Sequence, residues 1–182
     1  MVYLFLADGF EEVEALTQVD YLRRAGVEVV TVGVTGEFVT GTRNIVVKAD
    51  TVIEKVNDLD KAEMLVLPGG LGGTNAMENC KKVTDAVVSA YNNGSFIAAI
   101  CAAPTIFAKL GLLKGKKCVC YPDMQGVLSE NGGVVENVPV VRDGKIITSR
   151  AAGSAEEFAF ALIEALCTED MKEKIRKSIV AR

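Results

Sequence analysis

The sequence predicts an α/β protein in which helices cover both faces of a mostly parallel sheet. Apolar runs of strand length alternate with longer segments of helical periodicity, which is the pattern of strands joined by crossover helices. The chain has 182 residues, of which 49% are hydrophobic, so it is long enough to bury a core without disulfide bonds. No linker or low-complexity segment interrupts it. Residues 1–182 are therefore predicted to form one domain.

In the first half of the chain, glycines and a proline mark where the elements end. Gly26 follows a helical pattern, and Pro68 follows a short buried strand. The predicted elements are a strand at Val2–Ala7, a helix at Glu11–Ala25, a strand at Val27–Gly33, a small antiparallel excursion at Glu37–Val52 and a strand at Met64–Leu67.

In the second half, the predicted strands are shorter and one turn is strongly indicated. Asp143-Gly144 between two apolar runs is the signal of a two-residue hairpin. Ser154 with Glu157 three residues later predicts a capping box at the start of a helix. The predicted helices are Asn75–Asn92, Ala102–Lys109, Ser154–Leu166 and Glu169–Val180, and the predicted strands are Phe96–Ile100, Cys118–Tyr121, Val134–Val135, Val138–Val141 and Lys145–Thr148.

Charge and hydropathy argue against several classes of partner. The net charge is −4 and no basic stripe precedes the last helix, which argues against nucleic acid as a partner. No apolar run has the roughly 18 residues that a membrane span needs. The apolar Met1–Ala7 lacks a basic leader and is followed at once by acidic residues, so it is interpreted as a strand and not as a secretion signal. We expect a cytoplasmic protein.

The cysteine pattern indicates a reducing compartment and no metal site. The five cysteines are Cys80, Cys101, Cys118, Cys120 and Cys167. Their odd number and the lack of a C-x-x-C motif argue against a disulfide framework. The chain has no histidine, which argues against zinc. Cys118 and Cys120 share one face of a predicted strand, so metal binding there stays open as the weaker alternative.

Cys101 lies where an apolar strand meets small residues and a proline. Residues 96–104 read FIAAICAAP, and Pro104 suits the first turn of a helix. A tight strand-to-helix turn would push the thiol outward at the carboxyl edge of the sheet, where open α/β sheets keep their sites. The helix dipole would favour the thiolate and lower the pKa of Cys101 below its usual value of about 8.5. The alternative is a buried core cysteine.

A glycine-rich loop follows the strand at Met64–Leu67. Residues 68–73 read PGGLGG, without the lysine or the spacing of a nucleotide-binding loop. If this strand is the neighbour of the Cys101 strand, the backbone N–H groups of Gly70 and Ala102 could form an oxyanion hole. The alternative is an ordinary glycine turn.

Three glutamates stand at the start of the first predicted helix. Glu11 and Glu12 are explained as acidic residues that complement the helix dipole. Glu14 lies deeper, among apolar residues, and could face inward beside a thiolate. There, desolvation and like-charge repulsion would hold its carboxyl protonated. The alternative is a solvated surface glutamate.

Taken together, four separated motifs resemble the ThiJ/PfpI superfamily, and within it the DJ-1 (DJ-one) branch of the Parkinson's-disease-linked protein deglycase. The motifs are ADGFEEVE at residues 7–14, LPGG at 67–70, AAICAAP at 98–104 and TSR at 148–150. Their order and spacing fit from the first strand to the last helix. The resemblance implies a flavodoxin-like three-layer sandwich, a homodimer and chemistry that needs no cofactor.

The resemblance also implies roles for individual residues. Cys101 would be the nucleophile and redox centre, and Glu14 its hydrogen-bonded partner. Gly70 and Ala102 would supply the backbone donors. Protease-like members place a histidine directly after the cysteine, where this chain has Ala102, so cysteine–histidine peptidase chemistry is not expected.

Two arginines and a tyrosine complete the candidate pocket by resemblance. Arg24 and Arg43 match family arginines near the dimer interface and the site. Tyr121, before Pro122, stands where deglycase-type members can carry a histidine. A tyrosine hydroxyl can donate a hydrogen bond, but it does not take up a proton near neutral pH as histidine can.

Two functions from different classes remain open. In the first, Cys101 and Glu14 act on small reactive dicarbonyls such as glyoxal or methylglyoxal, or on their early adducts with proteins. In the second, the protein is a non-enzymatic oxidative-stress sensor or redox-regulated chaperone, and Cys101 is oxidised to the sulfinate. The expected partners are small reactive aldehydes or glycated proteins and a second copy of the chain.

Overall fold

The computed structural model describes residues 1–181, and its helices and strands alternate along the chain. The strands are β1 Val2–Leu6, β2 Val29–Gly33, β3 Phe38–Thr40, β4 Val46–Lys48, β5 Thr51–Val52, β6 Met64–Leu67, β7 Phe96–Ile100, β8 Lys117–Cys118, β9 Val134–Val135, β10 Val140–Asp143 and β11 Ile146–Ser149. The helices are α1 Glu12–Arg24, α2 Leu71–Asn79, α3 Lys81–Asn92, α4 Pro104–Lys109, α5 Gln125–Glu130, α6 Ala155–Leu166 and α7 Glu169–Ser178.

The main sheet has seven strands in the order β10-β11-β7-β6-β1-β2-β5. All neighbouring pairs are parallel except β10 with β11, so the predicted mostly parallel sheet is confirmed. That antiparallel pair turns at the predicted hairpin, where Gly144 has a φ of 62°. The predicted excursion at Glu37–Val52 contains the antiparallel pair of β3 and β4, but its last residues, β5, join the main sheet parallel to β2.

Helices cover both faces of this sheet, as predicted. β1 is buried throughout, and its alternate side chains enter two different cores, since successive side chains of a strand point to opposite faces. Tyr3 and Phe5 pack with residues of α2 to α5, whereas Val2, Leu4 and Leu6 pack with residues of α1, α6 and α7. The result is a three-layer arrangement with a hydrophobic core on each side of the sheet.

The predicted helix over Asn75–Asn92 is two helices. α2 begins at Leu71, directly after the glycine loop, and Cys80 separates it from α3 with an extended ψ of 101°. The early start was missed because Gly72 and Gly73 have low helix propensity. As a result, a helix begins beside the candidate oxyanion hole and not several residues away from it.

The predicted capping box at Ser154 is wrong. Ser154 does precede α6, but its hydroxyl does not cap that helix. Instead its Oγ donates to the carbonyl of Ala151 at 2.8 Å and lies 2.8 Å from the Oγ of Ser149. The hydroxyl therefore stabilises the 3-10 turn at Ala152–Ser154, which lies next to the candidate site.

The described residues also bear on chain organisation and membrane association. Within residues 1–181, none of the helices is both long and apolar enough to cross a membrane. The single domain over residues 1–182 stays a prediction, and Arg182 lies outside the described residues.

Candidate active site around Cys101

Cys101 lies in a tight turn at the carboxyl end of β7. Its φ of 65° is in the left-handed region, which a residue with a side chain rarely adopts. The peptide groups on both sides are fixed, because its N–H donates to the carbonyl of Ser149 at 3.0 Å and its carbonyl accepts from the N–H of Tyr121 at 2.8 Å. The residue is partly exposed. The turn therefore presents the thiol at the sheet edge, as the elbow interpretation predicted.

Two backbone N–H groups beside Cys101 favour its thiolate form. β6 and β7 are parallel neighbours, so the glycine loop that follows β6 lies beside the turn. The N–H groups of Gly70 and Ala102 both act to lower the pKa of the Cys101 thiol, as donors beside a sulfur do. Gly70 has a φ of 86°, and a Cβ there would overlap the carbonyl oxygen of Gly9. The structure thus brings together the two donors that the sequence suggested.

Gly69 has a role that the sequence analysis missed. Its N–H donates to Oε2 of Glu14 at 3.0 Å. A Cβ on Gly69 would lie only 2.5 Å from the Cβ of Cys101 and 2.9 Å from the carbonyl oxygen of Ile100. The Gly69-Gly70 pair is the sequence feature that indicates this role. Gly69 has no side chain and so leaves space for Cys101, and Gly70 adopts the left-handed backbone of the turn.

Glu14 faces inward and contacts the thiol. Glu11 is the N-cap of α1, and its carboxylate accepts the N–H of Glu14 at 2.8 Å, which fixes the first turn. The Glu14 side chain is only 1% exposed. Its carboxyl group accepts from the N–H of Gly69, and hydrogen bonding to the thiol of Cys101 and the N–H of Ala152 acts to lower its pKa. The alternative of a solvated surface glutamate is therefore wrong.

The pKa values of Glu14 and Cys101 are both raised. Burial raises the pKa of Glu14 to about 7, and the charge of Glu11 adds to the effect. Burial, followed by the charge of Glu14, raises the pKa of Cys101 to about 12. A negative charge on either group disfavours a negative charge on the other. The pair therefore loses one proton near neutral pH and keeps the other far into the alkaline range. The expected rise for Glu14 is confirmed.

The predicted fall in the thiol pKa is wrong. It assumed that a helix begins at Ala102, but α4 begins at Pro104 and has six residues, so the sulfur does not lie at the end of a long dipole. Burial and the nearby carboxylate outweigh the N–H groups of Gly70 and Ala102, which lower the pKa. A thiolate therefore forms near neutral pH only when the remaining proton of the pair lies on Glu14.

The other three candidate pocket residues occupy different positions. Tyr121 is joined to Cys101 through its backbone and is 42% exposed. Arg43 is exposed, and its guanidinium donates to the carbonyl of Thr42. Arg24 is bonded to Asp20 at the far end of α1, ten residues and so roughly 15 Å from Glu14. Within this chain Arg24 therefore lies away from the Glu14–Cys101 pair, and its place near a dimer interface and the site stays a prediction.

Glu12 does more than complement the helix dipole. Although charged, it is buried, and it accepts from the hydroxyl of Thr42 at 3.0 Å and from the N–H of Arg43 at 2.6 Å. The backbone of Ile45 also acts to lower the pKa of Glu12. These donors outweigh burial and lower the pKa of Glu12. The loop between β3 and β4 is thus attached to the same helical turn that carries Glu14.

No metal cluster accompanies this arrangement in the part of the chain that the structure describes. Within residues 1–181, no three cysteine, aspartate or glutamate side chains are grouped so that they could hold a metal ion. Cys118 and Cys120, the weaker alternative, are buried in the core, and Cys118 donates weakly to the carbonyl of Val134.

Comparisons with known proteins agree over nearly the whole chain. Protein dj-1beta of Drosophila melanogaster is 42% identical over 97% of this chain and 95% of that protein. The Parkinson disease protein 7 homolog of Danio rerio is 28% identical over 98% of this chain and 96% of that protein. Both relatives are therefore similar to this chain along its length and not only at the site.

Solved structures share the same arrangement. The crystal structure of Drosophila melanogaster DJ-1beta matches with a TM-score of 0.95 and 41% identity, covering 100% of this chain and 97% of that chain. Toxoplasma gondii DJ-1, in a form described as oxidized, matches with a TM-score of 0.91 and 33% identity over 98% and 97%. These matches confirm the flavodoxin-like fold. The profile of the DJ-1/PfpI family matches residues 1–165, and this chain therefore belongs to the DJ-1/PfpI family.

Proposed function

We propose that this protein is a cofactor-independent enzyme that acts on small reactive dicarbonyls, such as glyoxal and methylglyoxal, or on their early adducts with proteins. One observation carries the proposal. Glu14, bonded to the thiol of Cys101, has its pKa raised to about 7, which suits a group that must both take up and release a proton at neutral pH. The chain has no histidine, so near neutral pH this work falls to Glu14.

The first chemical step would be addition of the thiol to the aldehyde. The sulfur forms a bond to the aldehyde carbon, the π electrons of the carbonyl move to its oxygen, and the thiol proton passes to Glu14. The N–H groups of Gly70 and Ala102, which favour the thiolate, lie close to where that oxyanion would form. Proton return to the oxygen gives a hemithioacetal.

The second step would move a proton between adjacent carbons. Glu14 removes the proton from the former aldehyde carbon and delivers it to the neighbouring carbonyl carbon, while the two oxygens exchange carbonyl and hydroxyl character. The product is a thioester of a 2-hydroxy acid. Water then cleaves the carbon–sulfur bond and restores the thiol. Methylglyoxal plus water thus gives lactate with no external oxidant or reductant. A deglycase would use the same groups on a protein adduct.

A second function is supported by the partial exposure of Cys101 and by one structural relative. Toxoplasma gondii DJ-1, which is similar to this chain, is described in an oxidized form. At Cys101, one peroxide would transfer an oxygen to the thiolate and leave as water, and a second would give the sulfinate. Glu14, when protonated, could donate a hydrogen bond to a sulfinate oxygen. The protein would then be an oxidative-stress sensor or redox-regulated chaperone.

A single assay separates the two functions. Reduced protein is incubated with methylglyoxal without glutathione, and both lactate and free thiol are measured. Many lactate molecules per chain support the enzyme, whereas loss of one thiol per chain without lactate contradicts it and favours the sensor. Cys80→Ser and Cys167→Ser are matched controls, since both cysteines are partly exposed and neither contacts Glu14. Each should keep most of the activity.

We further propose a homodimer that buries part of α1. Val13 and Leu16 on its outer face are 50% and 36% exposed, while Ala15, Val19 and Leu22 face the core. A helix that is apolar on two faces is expected to be covered on both. Sedimentation at micromolar concentration should give a dimer, and a monomer would contradict this. We propose the cytoplasm as location, since all five cysteines are free thiols.

A further inference from the structure

Arg150, the last residue of the TSR motif, is not used by the proposed function. It directly follows β11, and its backbone is fixed because its N–H donates to the carbonyl of Pro139 at 3.0 Å. Its guanidinium is half-buried and donates through Nη2 to Oδ1 of Asn137 at 3.1 Å. Within residues 1–181 it forms no ion pair with a carboxylate. A guanidinium has five N–H donors, so this side chain is held in place with donors left for a ligand.

A cavity of about 220 Å³ lies beside this arginine. It is smaller than the roughly 300 to 1,000 Å³ of pockets that hold drug-sized molecules, so it suits a small ligand. A Cβ on Gly153 would meet no atom within 4 Å, which shows open space on that side. The hydroxyl of Ser154 is already bonded to the carbonyl of Ala151. The residues that line the cavity are Pro139, Arg150, Ala151, Gly153, Ser154 and Glu157.

Glu157 gives the same cavity a negative charge. It lies in the first turn of α6, where a carboxylate complements the helix dipole, and it is exposed. In the part of the chain that the structure describes, its side chain makes no hydrogen bond and no ion pair. Arg150 and Glu157 therefore share a cavity without neutralising each other. A ligand that carries both a negative and a positive group would satisfy both side chains.

Ligands with a single charge fit this cavity less well. A carboxylate without a cation would bind Arg150 but would face the carboxylate of Glu157, and an amine without an anion would face the guanidinium. A carboxylate matches the planar fork of an arginine, and an ammonium group suits a carboxylate. We propose that this cavity binds a small α-amino acid, with its carboxylate on Arg150 and its ammonium group on Glu157.

The proposed amino-acid cavity shares a segment of chain with the candidate active site. The carbonyl of Ser149, the residue before Arg150, accepts the N–H of Cys101 at 3.0 Å. The hydroxyl of Ser149 lies 2.8 Å from that of Ser154, which lines the cavity. Binding itself needs neither the thiol nor Glu14. The inference therefore goes beyond the proposed function and does not depend on it.

Three probes of nearly equal size test the proposal on the full chain. The protein is labelled with ¹⁵N and titrated at pH 7 with L-alanine, with propionate, which lacks the ammonium group, and with ethylamine, which lacks the carboxylate. L-alanine should give saturating shifts of the backbone amide signals of Ala151 and Gly153, which line the cavity. Propionate and ethylamine should bind at least about tenfold more weakly, because each loses one charge-assisted hydrogen bond.

Four variants assign the two charges and the space between them. Arg150→Met should weaken L-alanine and propionate alike by about tenfold or more. Glu157→Gln should weaken L-alanine but not propionate, so the preference for the amino acid is lost. Gly153→Leu should abolish binding by filling the cavity, since a side chain there meets open space. Arg142→Met is the matched control, because Arg142 is an exposed arginine of β10 that does not line the cavity.

Several results would overturn the proposal. These are equal binding of L-alanine and propionate, no saturating shift with L-alanine, shifts centred away from Ala151 and Gly153, and unchanged L-alanine binding in Glu157→Gln. Should Arg150→Met fail to fold because it loses the bond to Asn137, Glu157→Gln still decides, since it has no bond to lose. Neither turnover nor thiol chemistry is measured. Failure here therefore leaves the proposed function standing, and a failed lactate assay leaves this inference standing.

Discussion

Two buried glutamates lie two residues apart on the same helical turn, and their pKa values are shifted in opposite directions. Glu12 lies under the loop between β3 and β4, where backbone and hydroxyl donors lower its pKa. Glu14 lies beside a thiol, where burial raises its pKa to about 7 although the N–H of Gly69 donates to it. Burial by itself therefore does not set the charge of a carboxyl group. The number of donors and the neighbouring charges decide it.

The difference separates a structural region from a reactive one. On the Glu12 side, a fixed charge holds a loop in place, and any loss of that charge weakens the fold. On the Glu14 side, a proton can be exchanged at neutral pH because neither charge state is strongly favoured. Four substitutions test whether the two sides are as distinct as their geometry indicates.

The largest expected effect is on the reactive side. Cys101→Ser should lower methylglyoxal turnover by at least about a thousandfold, because the hydroxyl is far less acidic than a thiol and the rest of the site depends on it. Glu12→Gln, assayed where it is folded, should stay within about threefold of the unmodified protein, since Glu12 does not contact the reacting atoms. Comparable loss in both variants would show that the two sides are not separate.

On the structural side, Glu12→Gln should lower the free energy of unfolding by about 3 to 4 kcal/mol at pH 7, since it removes a charge from several converging donors. The pKa of Glu12 is lower in the folded state, so its contribution is present above the unfolded value and is lost as pH falls through the folded value. Denaturant unfolding at several pH values should therefore show the difference shrinking in acid. A constant difference would mean that the charge is not responsible.

Glu14→Gln should raise the free energy of unfolding at neutral pH, the opposite of the effect expected for Glu12→Gln. The pKa of Glu14 is about 7 when folded and 4.5 in its ordinary state, so the unfolded chain loses this proton first. Stability should fall between these two values by on the order of 3 kcal/mol, and the penalty should persist above pH 7. The variant removes that fall, so its advantage over the unmodified protein should appear between about pH 4.5 and 7. An advantage that is independent of pH would contradict the raised pKa.

The smallest expected effect comes from a single donor. Thr42→Val keeps the shape of the side chain and removes one of the hydrogen bonds to Glu12, so it should cost about 1 kcal/mol at pH 7. In combination with Glu12→Gln it should cost less, because the hydroxyl then bonds to a neutral amide and not to a charged carboxylate. Thermal unfolding of the single and double variants would measure both values.

The features of this site that depend on local sequence signals could be predicted, whereas those that depend on contacts between distant segments could not. The elbow at Cys101 and the glycine loop were predictable, since strand ends, glycines and a proline are local signals and neighbouring parallel strands bring their carboxyl ends together. The sheet and most helices were predictable for the same reason. Near the site, the predicted start of the helix after Cys101 was wrong. α4 begins at Pro104 and not at Ala102, so its dipole is short.

The contacts that adjust the site were not predictable from the pattern. Glu12 is buried by a hairpin 30 residues away, and the N–H of Gly69 bonds to Glu14 at a separation of 55 residues. Nothing in the local sequence shows that the N–H of Gly69 meets this carboxyl group, since almost every residue type carries a backbone N–H. The thiol pKa was misjudged because it depends on the distance to a carboxylate on another element, and a sequence alone does not give that distance.

The left-handed backbone of Cys101 has a consequence for how this chain evolves and how it can be engineered. Glycine would occupy a φ of 65° freely, whereas a cysteine costs roughly 1 to 2 kcal/mol there. Selection for stability alone would therefore favour glycine at this position, and screens for heat-resistant variants would recover it. A protein that keeps the cysteine gives up part of its margin against unfolding, which is the trade-off expected where a side chain is retained for its reactivity.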